Sequence, residues 1–334
     1  MLSYSDFKDH IVEHIKDVLP EEYADADIKI EKYAKPNTGE IESILIMPKD
    51  SSIAPAFRVS DLYEEYQAGE TLEGIMIRIR DSYQRNAKPL ISIPDIEHLK
   101  EWDVWKDKIT VRVVNRETNQ TLMGQVPWRE IEGTDLVMLY DIFYSNEVRM
   151  MVQNDLAELW GKKEEDLYTS AMSFLQKEQV VCNSLLVPNS VVSDDRENRS
   201  GIEVDMENGK AQKNTLYSLT NESEYFGAAA ILQPGLLEKL EKWFQGEFTI
   251  FPTSVHELII VKKDEQENPL ELQIIVLCGN KLLEKKEDYL SNNVYEYSNG
   301  EIKTITDEMT LMLAKHILNS VAQEEREEMD RVDE

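Results

Sequence analysis

Apolar residues recur at intervals of three and four positions in several parts of the chain. This spacing places them on one face of an amphipathic helix. The first such segment carries Phe7, Ile11, Ile15 and Val18, and Pro20 follows, a residue that interrupts helices. Helices are predicted from this spacing, or from a long apolar stretch, over residues 5–19, 61–67, 71–83, 155–160, 164–177, 234–244 and 268–283.

Shorter apolar runs bounded by turn residues predict strands. Asn299 and Gly300, inside residues 294–302, form a two-residue turn typical of a β-hairpin. Strands joined by short turns favour antiparallel pairing. The remaining strands are predicted over residues 26–33, 42–48, 53–59, 109–115, 134–144, 147–152, 180–187, 215–221, 225–232, 248–251 and 256–261. The whole pattern predicts an α+β protein with mixed, mostly antiparallel sheets and packed helices.

The 334 residues are enough for two domains. We expect an N-terminal α+β domain over residues 1–88 and a larger α+β domain over residues 89–305. Residues 191–214 are polar, charged and almost free of large apolar side chains, so we expect them to form an exposed loop. The last predicted element is an amphipathic helix that runs into an acidic tail, over residues 306–334.

The formal net charge of -29 limits the classes of partner. A surface of this charge repels nucleic-acid phosphates and anionic lipids, so no nucleic acid and no membrane is expected as a partner. Acidic residues are scattered along the chain rather than gathered on one segment, apart from the tail, which favours a role in solubility over mimicry of nucleic acid. The glycines are isolated and no Cys-x-x-Cys pair occurs, so no cofactor is expected. A protein partner of unknown identity is the remaining class.

Cys182 and Cys278 both lie in apolar stretches, which predicts two buried thiols and no disulfide. Reduced thiols are typical of the cytoplasm. The first residues lack a basic segment followed by an apolar one, so no signal peptide is expected. No apolar run reaches the length of a membrane span. Together these observations predict a cytoplasmic protein.

The best candidate for chemistry is the stretch PTSVHE, which brings Ser254, His256 and Glu257 within four residues. If this stretch is extended, Ser254 and His256 share a face about 7 Å apart, too far for a hydrogen bond. If it is a turn, Ser254 and Glu257 match a capping box and serve the backbone. The turn is favoured, and the alternative is an acid–base or ligand site at His256, with Thr220 and Asn221 from the neighbouring LTN.

Two further motifs contain residue types that could bind a ligand. His10 and His14 belong to an H-x-x-E-H pattern, which in zinc peptidases supplies two metal ligands and a glutamate base. His14 falls near an apolar stripe and no third ligand stands out, so no metal site is predicted and this pair is kept as an alternative. Arg129, beside Trp128, is a candidate for binding an anion, although this pairing is more typical of a stacked surface residue.

The chain contains the phrases LTN, GAAAILQPGLL and PTSVHE, together with VPWREI, DLAELWGKKEEDLYTSAM, FRVSDLYEEYQAGETLE and VYEY. These phrases resemble a family known as domain of unknown function 5688. The resemblance runs in order from about Tyr4 to Ile305. It implies a cytosolic bacterial protein, mainly from gut Firmicutes, and it brings no known activity.

Two hypotheses about function follow. The first is a non-enzymatic binding or adaptor protein, which requires an exposed apolar patch. The second is a hydrolase or ligand-binding enzyme centred on Ser254, His256 and Glu257. The second requires His256 to line a concave pocket with a polar partner within hydrogen-bond reach.

Overall fold

The computed structural model describes residues 1–49, 56–86, 96–145, 148–185, 202–203, 210–212, 215–264 and 267–332. They form two compact units, Met1–Glu101 and Trp102–Glu334. The expected boundary at residue 88, and most of the expected loop over residues 191–214, lie outside the described residues. Within the described chain, every helix is too short or too polar to cross a bilayer.

The first unit packs helices against a three-stranded antiparallel sheet, in which β1 (Asp27–Lys35), β2 (Gly39–Met47) and β3 (Ala56–Arg58) lie in that order. Helix α1 (Tyr4–Val18) begins where the Ser3 hydroxyl accepts a hydrogen bond from the Asp6 N–H. Of its predicted stripe, Phe7, Ile11 and Ile15 are fully buried in the core, and Val18 is partly buried against it. The other described α-helices of this unit are α2 (Val59–Gln67), α3 (Leu72–Asn86) and α4 (Ile96–Leu99).

The second unit contains the remaining described helices and two further sheets. Its helices are α5 (Trp102–Trp105), α6 (Gln120–Met123), α7 (Asn154–Leu159), α8 (Glu164–Leu175), α9 (Leu236–Phe244), α10 (Pro269–Lys281) and α11 (Glu308–Val332). Its strands are β4 (Ile109–Asn115), β5 (Trp128–Glu130), β6 (Leu136–Ser145), β7 (Val148–Met151), β8 (Val180–Leu185), β9 (Ile202–Glu203), β10 (Leu216–Asn221), β11 (Phe248–Phe251), β12 (Leu258–Lys262), β13 (Tyr295–Ser298) and β14 (Glu301–Thr304).

Both sheets of this unit are antiparallel. The smaller sheet has the order β4-β6-β5, with β7 also paired to β6, and the larger has the order β14-β13-β11-β12-β10-β8-β9. A buried 3-10 helix, Gly227–Leu232, contacts β4 of the smaller sheet and β10 of the larger sheet. At the edge of the larger sheet, the Thr304 N–H of β14 donates to the Gly133 carbonyl at 2.9 Å. The predicted α+β class with antiparallel sheets is confirmed.

The strand predicted over residues 225–232 is wrong, because this segment forms the 3-10 helix instead. Phe226 has a left-handed backbone with φ of 55°, which turns the chain before the helix. Ala228, Ala229 and Ala230 are small and buried, and alanine has little preference for strands. The apolar run therefore indicates burial correctly but not the type of element.

The predicted burial of both cysteines is correct for Cys182 and wrong for Cys278, which is exposed. Ile275 and Cys278 on α10 and Leu282, the residue that caps its C-terminus, follow helical spacing, so they lie on the same side of the helix. Ile275 and Leu282 are 57% and 83% exposed, so this side of α10 faces outward despite its apolar sequence.

Cys278 is expected to react with a thiol reagent in the native protein, whereas Cys182 is not. Burial raises the pKa of the Cys182 thiol to about 12, so almost no thiolate forms near neutral pH. Titration with a chromogenic disulfide should count one thiol per chain before denaturation and both after it. Cys278→Ser should abolish the native reaction, and persistent reaction in that variant would contradict the burial of Cys182.

Candidate functional site

The PTSVHE stretch forms a turn between β11 and β12. The Ser254 hydroxyl accepts hydrogen bonds from the backbone N–H groups of His256 and Glu257, at 3.1 and 3.2 Å. The Ser254 N–H donates to the Glu257 carbonyl at 3.2 Å, which closes the turn. The Glu257 carboxylate accepts a hydrogen bond from the Ser218 hydroxyl of β10 at 2.8 Å. In this geometry the Ser254 side chain serves the backbone, and the strand begins only at Leu258.

Both ring nitrogens of His256 have partners. The Phe226 N–H donates to Nδ1 at 3.1 Å, so the proton of the neutral imidazole lies on Nε2. Nε2 then donates to Asp288 Oδ1 at 3.2 Å. The ring also stacks on the side chains of Tyr225 and Phe226, with ring centres 5.4 and 5.5 Å away. The imidazole is 28% exposed and connects three segments that are distant in sequence.

Thr220 and Asn221 also contact the segments that His256 connects. The Thr220 hydroxyl donates to the His256 carbonyl at 2.8 Å. The Asn221 side chain donates to Glu178 and to the Tyr225 carbonyl, both at 3.1 Å, and accepts the Tyr225 N–H. Much of the family resemblance depends on the segments LTN, GAA and PTSVHE. These segments therefore meet at one place in the fold, which we call the His256 junction.

This junction is poorly arranged for a serine–histidine reaction. A histidine that activates serine must accept the proton of the hydroxyl, yet Nδ1 of His256 already accepts a backbone N–H and Nε2 faces Asp288. Two cavities of about 600 and 400 Å³ occur in the second unit, and neither lining includes Ser254, His256 or Glu257. These side chains contact backbone N–H groups and the neighbouring side chains of Ser218 and Asp288.

Arg129 lies at a different place, where β5 meets the first turn of α8. Its Nε and one terminal nitrogen donate to the two carboxylate oxygens of Glu164 at 2.8 and 2.7 Å. The guanidinium carbon lies 3.8 Å from the centre of the Tyr168 ring. The Tyr140 hydroxyl donates to the same Glu164 carboxylate, and burial raises the pKa of Tyr140. The guanidinium fork is thus filled by a carboxylate of the chain itself.

His10 and His14 lie side by side on α1, with ring centres 4.4 Å apart. His14 Nδ1 lies 3.3 Å from Asp17 Oδ2, and its side chain is 42% exposed. Across the ranges that the structure describes, no group of three or more His, Cys, Asp or Glu side chains could hold a metal ion.

Two ion pairs that the sequence analysis did not single out lie beside the His256 junction. Arg112 Nε donates to Asp141 Oδ2 at 2.7 Å, and both residues are buried. The Arg149 guanidinium lies 3.7 Å from Glu178 Oε1. The sequence did carry a signal for the first pair, since ITVRVVN and LVMLYDIFY each place a charge within an otherwise mostly apolar strand. A charge in that position requires a buried partner.

Comparison with known proteins supports the resemblance found in the sequence. The model of a family of unknown function, DUF5688, matches residues 4–299. No curated protein and no solved structure matches the chain. Because the family match covers nearly the whole chain, the protein belongs to the family of unknown function DUF5688.

Proposed function

We propose that the protein is a cytosolic, non-enzymatic binding module that docks a segment of another protein on helix α11. The observation that carries this proposal is an exposed apolar surface on that helix. Met309, Met312 and Leu313 are 78%, 65% and 46% exposed and follow helical spacing, so they lie on one side of α11. We refer to these three residues as the α11 face. Grouped large apolar side chains on a surface commonly mark an interaction site.

The opposite side of α11 is packed against the protein, whereas the α11 face is exposed. Ala314 is fully buried, and α11 contacts α10. The helix is therefore anchored by one side while the other is presented outward. Methionine side chains are flexible and polarisable, which suits a surface that adapts to a partner.

The partner that fits this face best is a basic amphipathic helix. Its apolar side would cover the α11 face, and its lysines and arginines would be attracted to a chain that is acidic overall. In the sequence, residues 324–334 include seven acidic and two basic residues. A second copy of the chain fits less well, because each copy carries a formal charge of -29.

The arrangement around His256 also favours binding over catalysis. Its two ring nitrogens and the Ser254 hydroxyl oxygen are engaged in holding a turn. An enzyme would need these groups directed toward a substrate. The hydrolase hypothesis centred on Ser254, His256 and Glu257 therefore has less support than the binding hypothesis.

A labelled helical peptide of leucine and lysine, about 18 residues long so that it can form a stable helix, is expected to bind the full chain. Met312→Gln combined with Leu313→Gln should weaken this binding about tenfold or more, since two apolar contacts are lost. Leu159→Gln, which changes a side chain that is 56% exposed on α7, is the matched control and should bind normally. Fluorescence anisotropy measures the affinities, and circular dichroism checks the fold.

A peptide of the same composition in scrambled order tests whether charge alone is responsible. It should bind at least several-fold more weakly than the amphipathic peptide. Equal binding of the two peptides, or equal affinity of the α11 variant and the wild-type chain, would overturn the proposal. So would a dimer in light scattering that the α11 substitutions dissociate, because the occupant would then be a second copy.

A further inference from the structure

The two histidines of α1 form a close pair that the proposed binding function does not use. His10 and His14 are four residues apart on the helix, so their side chains lie on the same side of it. Their ring centres are 4.4 Å apart, and the ring planes are inclined at 47°. The His14 side chain is 42% exposed and His10 is half-buried, so both rings border solvent.

The separation of the two rings is the one that a metal ion requires of two imidazole ligands. An imidazole nitrogen binds a divalent transition metal at about 2.0–2.1 Å, and the ring centre lies about 1.1 Å further from the metal. Two rings bound at about 90° to each other then have centres about 4.5 Å apart, whereas the tetrahedral angle gives about 5.2 Å. The observed 4.4 Å matches the first arrangement, so the rings need little movement to bind an ion.

Asp17 orients the His14 ring for such a contact. Its Oδ2 lies 3.3 Å from His14 Nδ1, and a carboxylate accepts hydrogen bonds, so the proton of the neutral ring lies on Nδ1. Nε2 then carries the lone pair that a metal binds. Histidine ligands of metals usually donate their other ring N–H in this way, often to a carboxylate, which fixes the ring and makes the ligand nitrogen more basic.

The surroundings of His14 Nε2 favour a cation. Glu13 Oε2 lies 3.9 Å from Nε2, too far to form a hydrogen bond with it. The Glu13 side chain is 76% exposed, so it is free to rotate as an ion approaches. The carboxylates of Glu13 and Asp17 thus bring two negative charges to the ring that would bind the ion.

We propose that His10 and His14 bind one divalent transition metal ion of the nickel or copper type, each through one ring nitrogen. These ions accept imidazole ligands and favour square-planar or similar arrangements, in which neighbouring ligands are about 90° apart. Water completes the coordination. In the chain as described, no group of three or more His, Cys, Asp or Glu side chains could hold a metal, so the site differs from that of a zinc peptidase, which uses three protein ligands.

Isothermal titration of the full chain with Ni²⁺, in excess Mg²⁺ to occupy surface carboxylates, should show one bound ion per chain. Asp17→Asn should weaken Ni²⁺ binding about tenfold, the usual cost of removing a group that orients a histidine ligand. His10→Gln and His14→Gln should each weaken it further, because each removes one of the two ligands. His98→Gln, which removes a different histidine whose side chain is 57% exposed, is the matched control and should bind normally.

Electron paramagnetic resonance with Cu²⁺ identifies the ligands independently of affinity. The spectrum should show coupling to two ring nitrogens in the wild-type chain and in Asp17→Asn, but to one in His10→Gln or His14→Gln. Circular dichroism checks that each variant folds. Unchanged Ni²⁺ affinity in either histidine variant, or a Cu²⁺ spectrum without coupling to two nitrogens, would overturn the proposal. The ion would then be held by the acidic surface alone. All these residues belong to the first unit, so the outcome is independent of peptide binding to the α11 face.

Discussion

Gly227→Ala is expected to lower the free energy of unfolding by about 3 kcal/mol, the upper end of the usual cost of overpacking. A methyl group at this position would lie 2.0 Å from the Thr220 hydroxyl oxygen, 2.5 Å from the His256 carbonyl oxygen and 2.8 Å from the Asn221 nitrogen. Two of these atoms belong to the backbone, so they cannot rotate away. The 3-10 helix would have to move from β10 and from the PTSVHE turn together.

Chemical denaturation followed by circular dichroism measures this effect. Gly279→Ala on α10 is the matched control, because no atom beyond the neighbouring residues and the adjacent backbone of its own helix lies within 4 Å of the added methyl group. This second substitution should stabilise the helix by about 0.5–1 kcal/mol, since alanine favours helices more than glycine does. Equal stability of the two variants would show that the close packing around Gly227 is not what restricts the position.

Arg112→Met is expected to destabilise the protein by about 3–5 kcal/mol, because Asp141 would be left as a buried charge without its hydrogen-bonded partner. Asp141 is 0% exposed, and its Oδ2 accepts a hydrogen bond from Arg112 at 2.7 Å. The Phe226 ring also loses the guanidinium that lies 4.1 Å from its centre. Because Phe226 contacts His256, part of the lost stability comes from weaker packing at the His256 junction.

The double variant Arg112→Met with Asp141→Leu should be more stable than the Arg112→Met variant. Replacing both partners of a buried ion pair with apolar side chains removes the desolvation cost together with the attraction. A double-mutant cycle from denaturation curves measures the coupling between the two residues. Additive effects would mean that the pair does not act as a unit, and the expected cost would then have another origin.

The sequence predicts those parts of the fold that depend on local patterns. The stripe on α1 is buried as expected, and Asn299 and Gly300 adopt φ values of 54° and 84° in the turn between β13 and β14. Such turns require positive φ at both central residues, so the residue types determine the geometry. Periodicity likewise identifies α8 and α9, whose apolar faces are buried.

The candidate site depends on contacts between distant residues, which a single sequence does not encode locally. Ser254 is recognisable as a turn residue because its hydroxyl bonds to N–H groups two and three positions later. The pairing of His256 with Asp288 spans 32 residues, and that of Arg112 with Asp141 spans 29. Pairings of this kind follow from the arrangement of the sheets. The sequence alone predicts only that a buried charge needs some partner, and it does not identify that partner.

The contact between Thr304 and Gly133 has a consequence for how the protein behaves at high concentration. An edge strand offers unpaired N–H and C=O groups, which can recruit a strand from another molecule. On β14 the Thr304 N–H and hydroxyl are already bound to the Gly133 carbonyl, each at 2.9 Å. The loop before β6 thus acts as a cap on this edge. Intermolecular strand addition, an early step toward fibrils, is blocked at Thr304 unless that loop first detaches.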